Sequence, residues 1–158
     1  MTMTQMSRRA MLAAGTCALG ATALVPPLAD ARAETGLNAK SEETIRKYYA
    51  AWEKKDWGSL DALLADNFTF SSAAGDDHIP TAIFKAQCWD TQSRYIERFD
   101  LLRVFTVGSE AFVMYICHTT NGKSFRNVEY ARLNDYKVEA IECYFGAVAG
   151  YPTAVDAT

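Results

Sequence analysis

Between Tyr95 and Phe145 the chain stops repeating every three to four residues and begins to alternate every two, and this change of period limits the folds open to it. Residues 95–107, 110–119, 123–133 and 138–145 are rich in aromatic and β-branched side chains. Short pairs separate them: Gly108-Ser109, Asn121-Gly122 and Asn134-Asp135. Such spacing predicts consecutive antiparallel strands. Asn121-Gly122 is the strongest hairpin signal, because the favoured two-residue turn needs positive φ at both central positions.

Upstream, the period is helical. Ser41 can cap a helix whose first turn holds Glu42 and Glu43, and Ile45, Tyr48, Tyr49 and Trp52 follow at i, i+3, i+4 and i+7. Asp56 can cap a second, short helix that presents Leu60, Leu63 and Leu64 to the same core. Phe68-Thr69-Phe70-Ser71 is a brief strand, Ser72 to Pro80 is a polar loop, and Pro80 starts a third helix to about Trp89 with Ile83, Phe84 and Cys88 inward. Helices first and a strand meander afterwards predict an α+β domain with helices packed on one face of the sheet.

The first 33 residues have another character. Ser7-Arg8-Arg9-Ala10-Met11-Leu12 precedes an uncharged run of small and apolar residues to Leu28, and Ala29-Asp30-Ala31-Arg32-Ala33 offers small-x-small cleavage sites. The pattern resembles a twin-arginine export signal, with cleavage expected after Ala33 and delivery to the periplasm or the exterior. The run is shorter than the ~20 apolar residues of a membrane span, so no stable membrane insertion is expected after cleavage. A short leader (34–40), one domain (41–146) and a tail (147–158) would remain, 125 residues in all. They carry 13 basic and 18 acidic side chains, a balance that argues against nucleic acid and anionic membrane surfaces. Cys88, Cys117 and Cys143 remain, an odd number, and are expected as buried thiols.

Four stretches carry a family resemblance: Ala65-Asp66-Asn67-Phe68-Thr69-Phe70, Asp76-Asp77-His78-Ile79, Phe125-Arg126-Asn127-Val128-Glu129-Tyr130 and Glu142-Cys143-Tyr144-Phe145-Gly146. Their succession over residues 41–146 resembles SnoaL-like proteins of the nuclear-transport-factor-2-like, cystatin-like kind. The resemblance implies a cone in which a strongly curved antiparallel or mixed sheet wraps the N-terminal helices and encloses an apolar cavity, often in a homodimer formed through the outer sheet face. Members include steroid isomerases, polyketide cyclases, dehydratases, epoxide hydrolases and non-catalytic binders, so the fold is implied more closely than the chemistry.

Against the ketosteroid isomerase branch, Tyr48 falls at the donor tyrosine and Glu129 at the protonated donor carboxyl. Ser72 stands at the position of the proton-abstracting aspartate, and a serine without an adjacent base cannot do that work near neutral pH. Asn127 and Glu129, two apart in a strand, share a face with Phe125 and Ala131. If that face is interior, desolvation favours the neutral acid of Glu129. Asp76-Asp77-His78 could supply the missing base, Asp77 or His78, at the cavity mouth, or could simply turn the loop and cap the third helix. His118 reads as a hydrogen-bonded strand histidine, and no metal-ligand spacing is present. The expected catalytic set is thus Glu129, Asp77, His78 and Tyr48, and the expected ligand contacts are Tyr48, Trp52, Phe70, Ser72, Asn127 and Glu129. No cofactor is expected. Three functions remain open: cofactor-free proton transfer on a small, largely apolar molecule, binding of a hydrophobic metabolite without conversion, and a protein-interaction module using the outer sheet face.

Overall fold

A computed structural model of the chain describes residues 28–145. The first 27 residues of the expected export signal and the tail from residue 146 lie outside the described residues. Helix α1 (Leu28–Lys54) begins well before Ser41 and passes through the expected cleavage point after Ala33. Ser41 is therefore not a cap: no residue between Leu28 and Ser41 stops a helix, and its buried hydroxyl donates instead to Gly108 O at 3.0 Å. Asp56 does cap α2 (Trp57–Asp61), accepting from the Ser59 N–H at 3.0 Å.

β1 (Leu64–Ser72) is longer than the expected four residues, and β2 (Ile79–Pro80) pairs back on it. The helical segment 81–92 consists of α3 (Thr81–Phe84), a π-helical turn (Lys85–Trp89) and α4 (Asp90–Gln92). The extra residue of a π turn shifts the inward stripe. Phe84, Cys88 and also Trp89 are buried, whereas Ile83 turns outward.

β3 (Ile96–Val107), β4 (Glu110–Thr119), β5 (Ser124–Asn134) and β6 (Lys137–Phe145) form the expected antiparallel meander. β6 pairs in parallel with β1, giving a mixed six-stranded sheet of order β2-β1-β6-β5-β4-β3. Register shifts at Ile96/Arg98, Leu101/Arg103 and Arg132/Leu133 let the sheet bend. Its curvature around α1 makes an α+β fold in which a bent, mixed sheet wraps the long helix.

The hairpin turns differ from the expectation. Asn121 keeps negative φ and Gly122 alone is left-handed (φ 79°), because the loop has three residues and closes with Thr119 N–H donating to Lys123 O at 2.9 Å. Positive φ at two successive positions occurs at Asp135 (47°) and Tyr136 (61°), between the paired Asn134 and Lys137. The turn geometry expected of Asn121-Gly122 is thus carried one hairpin later.

α1 lies on the inner sheet face and is pinned at both ends. Asn38 Oδ1 accepts from Gly108 N–H at 2.8 Å, Thr44 donates to Tyr136 O at 3.0 Å, and Glu53 accepts the Phe99 N–H at 2.7 Å. Between these pins Ile45, Tyr48, Tyr49 and Trp52 face the sheet and are buried with Phe68, Phe70, Phe84, Val113, Tyr115 and Ile141. Among the described residues no helix is long and apolar enough to cross a membrane.

Candidate functional site

β5 alternates so that Asn127, Glu129 and Ala131 point inward, while Arg126 and Arg132 point out. An acidic side chain is thereby carried into the aromatic interior. Glu129 is 7% exposed, and among the described residues no cationic side chain pairs with it. Its two oxygens are held instead by phenols. The Tyr49 hydroxyl lies 2.6 Å from Oε2, and the Tyr115 hydroxyl, from β4, lies 2.8 Å from Oε1. Cys143, opposite Glu129 on β6, adds a thiol donor.

Burial pushes the Glu129 carboxyl above the usual carboxylate range, and the donors from Tyr49, Tyr115 and Cys143 offset only part of that shift. The same desolvation, followed by the proximity of Glu129, drives Tyr48, Tyr49 and Tyr115 well above the usual phenol range. Cys88 and Cys117 are each pushed by burial up to about 12, and Cys143 is also raised. All three cysteines are free and buried, so they stay protonated thiols and none is a ready nucleophile.

Glu129 borders a cavity of about 40 Å³. That is space for about three or four water molecules, at roughly 10–15 Å³ each. Tyr48, Tyr49, Trp52, Phe70 and Tyr115 form much of its wall, with Gln92 and Phe125 among the remaining lining residues. Among the described residues no Lys, Arg or His lines it, so they offer an anionic guest no countercharge. Among the described residues no group of three or more His, Cys, Asp or Glu is placed to hold a metal ion.

Of the residues expected from sequence, the structure brings Glu129, Tyr48, Trp52 and Phe70 to this cavity. Asn127 is buried directly behind it, against Tyr115 and Cys143, and does not line it. Asp77, His78 and Ser72 are elsewhere. Asp77 and His78 have side chains 85% and 72% exposed and bond to each other at 2.5 Å. His78 adopts φ 51° while its N–H donates to Ser71 Oγ, and the ring remains in solvent. Ser72 follows Phe70 by two residues and would face inward in an unbroken strand. It ends β1 instead, donating to Asp76 Oδ2 at 2.5 Å and accepting from Ala74 N–H, which closes the 72–76 turn. Ser72, Asp76, Asp77 and Glu142 border a separate, open cleft.

Sequence reasoning missed two residues that hold the acid. The helical stripe carries both Tyr48 and Tyr49 inward and does not say which hydroxyl reaches β5. Tyr115 had a signal, the inward alternation Ala111, Val113, Tyr115, Cys117. Its role depends on the cross-strand pair Tyr115 with Asn127, which only the register supplies.

Solved structures share this arrangement of a bent mixed sheet around a long helix. An LEH-like epoxide hydrolase from M. tuberculosis superposes with a TM-score of 0.59 at 15% identity, covering 76% of this chain and 92% of that one. A candidate ketosteroid isomerase from Kribbella flavida gives 0.58 at 16%, covering 70% and 80%. A protein of unknown function with a cystatin-like fold from Methylobium petroleophilum gives 0.61 at 17%, covering 70% and 78%. At these identities the likeness concerns the fold. No curated protein matches the chain. The sequence model of the SnoaL-like domain matches residues 45–141, and the chain belongs to that family.

Proposed function

We propose that the protein performs cofactor-free acid–base chemistry on a small, uncharged molecule bearing one oxygen function, with Glu129 as the working group. The observation that carries this reading is a buried carboxyl, lifted above its usual range by that burial, gripped by two phenols and bordering a cavity that no cation lines among the described residues. The neutral acid gives its proton to the ligand's carbonyl oxygen. The carboxylate so formed is stabilised by Tyr49 and Tyr115 and takes a proton from the adjacent carbon, which regenerates the acid and leaves the enol. One carboxyl thus serves both steps, and the exposed Asp77 and His78 are not required. Epoxide opening or dehydration would use the same acid on an ether or hydroxyl oxygen.

The test is deuterium uptake. Acetone, whose four non-hydrogen atoms suit the small cavity, is incubated with the protein in D2O and exchange at the α-carbon is followed by NMR. The wild type is expected to accelerate exchange, and Glu129→Gln to lose about 10²-fold or more of that acceleration, the usual contribution of a positioned acid or base. Equal acceleration by both proteins would overturn the assignment.

A second reading is binding without conversion, favoured by the small cavity and by the engagement of both Glu129 oxygens. It is distinguished by ligand shifts that saturate without exchange. We also propose that the chain is exported through its twin-arginine segment and pairs as a homodimer through the outer sheet face. Exposed Phe105, Phe112, Met114 and Tyr144 support the pairing.

A further inference from the structure

Asn127 has no part in the proton transfer just described, yet it is buried beside the acid. Its Nδ2 donates to the Tyr115 hydroxyl oxygen at 3.0 Å and to Cys143 Sγ at 3.4 Å. Its Oδ1 is the one buried side-chain polar atom without a hydrogen-bond partner among the described residues. The opposite amide orientation would strand both Nδ2 protons and aim Oδ1 at a phenol oxygen whose proton is already engaged by Glu129. Buried N–H groups without acceptors are rarer than carbonyls without donors, which favours the orientation seen.

We infer that Asn127 is a positioning residue that sets the direction of the Tyr115–Glu129 hydrogen bond, so that the transferable proton of Glu129 resides on Oε2, beside Tyr49. The inference takes its chemical purpose from the acid–base reading above. A phenol has one proton and two lone pairs. With the amide N–H occupying a lone pair of Tyr115, the phenol proton points to Oε1, and Oε1 can only accept. The acid proton then belongs on Oε2. There the Tyr49 oxygen receives no other donor among the described residues and can take the proton or give its own. Tyr115 becomes the fixed stabiliser of the carboxylate, and Tyr49 the reversible partner. The ionisable groups facing Glu129 are Tyr48 and Tyr49 from α1, Tyr115 and Cys117 from β4, and Cys143 from β6, none of which is a cation.

The experiment is a pH titration of the Glu129 carboxyl carbon by NMR in 13C-glutamate-labelled protein, with Glu129→Gln identifying the resonance. Asn127→Leu frees the Tyr115 proton to turn away, so its Glu129 midpoint is expected to rise. Tyr115→Phe is expected to raise it as well, and the double variant to rise no further than Tyr115→Phe alone. An unmoved midpoint in Asn127→Leu, or full additivity in the double variant, would overturn the assignment. A purely structural asparagine would lower the melting temperature and leave the midpoint in place. Should Asn127→Leu fail to fold, Asn127→Ala carries the same expectation. The wild type supplies an independent one: one Asn127 Nδ2 proton lies downfield and returns toward the free-amide position in Tyr115→Phe. The two readings fail separately. Turnover that survives Glu129→Gln alongside a shifted midpoint removes the chemistry and keeps the positioning; lost turnover with an unmoved midpoint does the reverse.

Discussion

The inner and outer faces of the same three strands carry the same chemical pair, a tyrosine hydroxyl on a glutamate, in two environments. Inside, Tyr115 and Tyr49 hold Glu129 in the buried aromatic interior. Outside, Tyr130 donates to Glu110 at 2.9 Å and Tyr144 to Glu142 at 2.5 Å, where water competes for every group. The inner carboxyl is lifted above its usual range, with burial as the first cause. The difference lies in solvation, and alternation along β4 and β5 decides it: a residue one position away would present the same pair to solvent.

The comparison can be broken most severely from the inside. Phe84 packs against Trp52, Trp57, Phe68 and Phe70, so Phe84→Ala is expected to destabilise by about 3–5 kcal/mol in urea unfolding. Next comes the acid itself. Glu129→Leu strands the hydroxyls of Tyr49 and Tyr115, each at about 1–3 kcal/mol. Glu110→Leu and Glu142→Leu, on the outer pairs, should change stability by less than about 0.5 kcal/mol. Equal losses inside and out would remove the distinction between the faces.

The pH dependence sharpens it further. The folded state raises the Glu129 pKa, so between the unfolded and folded values the folded protein binds the extra proton. The stability contribution is complete below the ordinary glutamate range and is lost as pH rises through the folded value. The wild type is therefore expected to show a falling stability limb in that window, and Glu129→Gln to lack it. On the outer face, Phe112→Ser should alter unfolding by less than about 0.5 kcal/mol at concentrations below dimerisation, yet abolish a concentration-dependent dimer in sedimentation. Wild-type protein that stays monomeric at every concentration would refute that use of the face. Smallest of all, His78→Ala should leave both stability and exchange activity unchanged, since its ring is in solvent.

Much of this fold was legible because its strands are long, rich in aromatic and branched residues, and cleanly punctuated. The four meander strands agree with their expected bounds within about two residues. The start of α1 was not legible. Ser41-Glu42-Glu43 has the composition of a cap, but a cap is used only where the preceding backbone leaves the helix, and residues 28–40 contain no proline to force that. The parallel pairing of β1 with β6 joins segments about 70 residues apart, beyond any local signal. At the site, Glu129 and its inward face followed from alternation and resemblance. Its true partners required the register between β4 and β5 and the rotation of α1, both set by tertiary packing. Asp77 and His78 looked chemical because their residue types are; the αL backbone at His78 left them in water.

The central claim, a neutral acid inside the cone, is tested most directly by infrared difference spectroscopy of wild type against Glu129→Gln at neutral pH. The account predicts a protonated-carboxyl C=O stretch that disappears in the variant. A difference spectrum showing only the symmetric and antisymmetric carboxylate bands would mean that Glu129 is ionised in the folded protein and would contradict it.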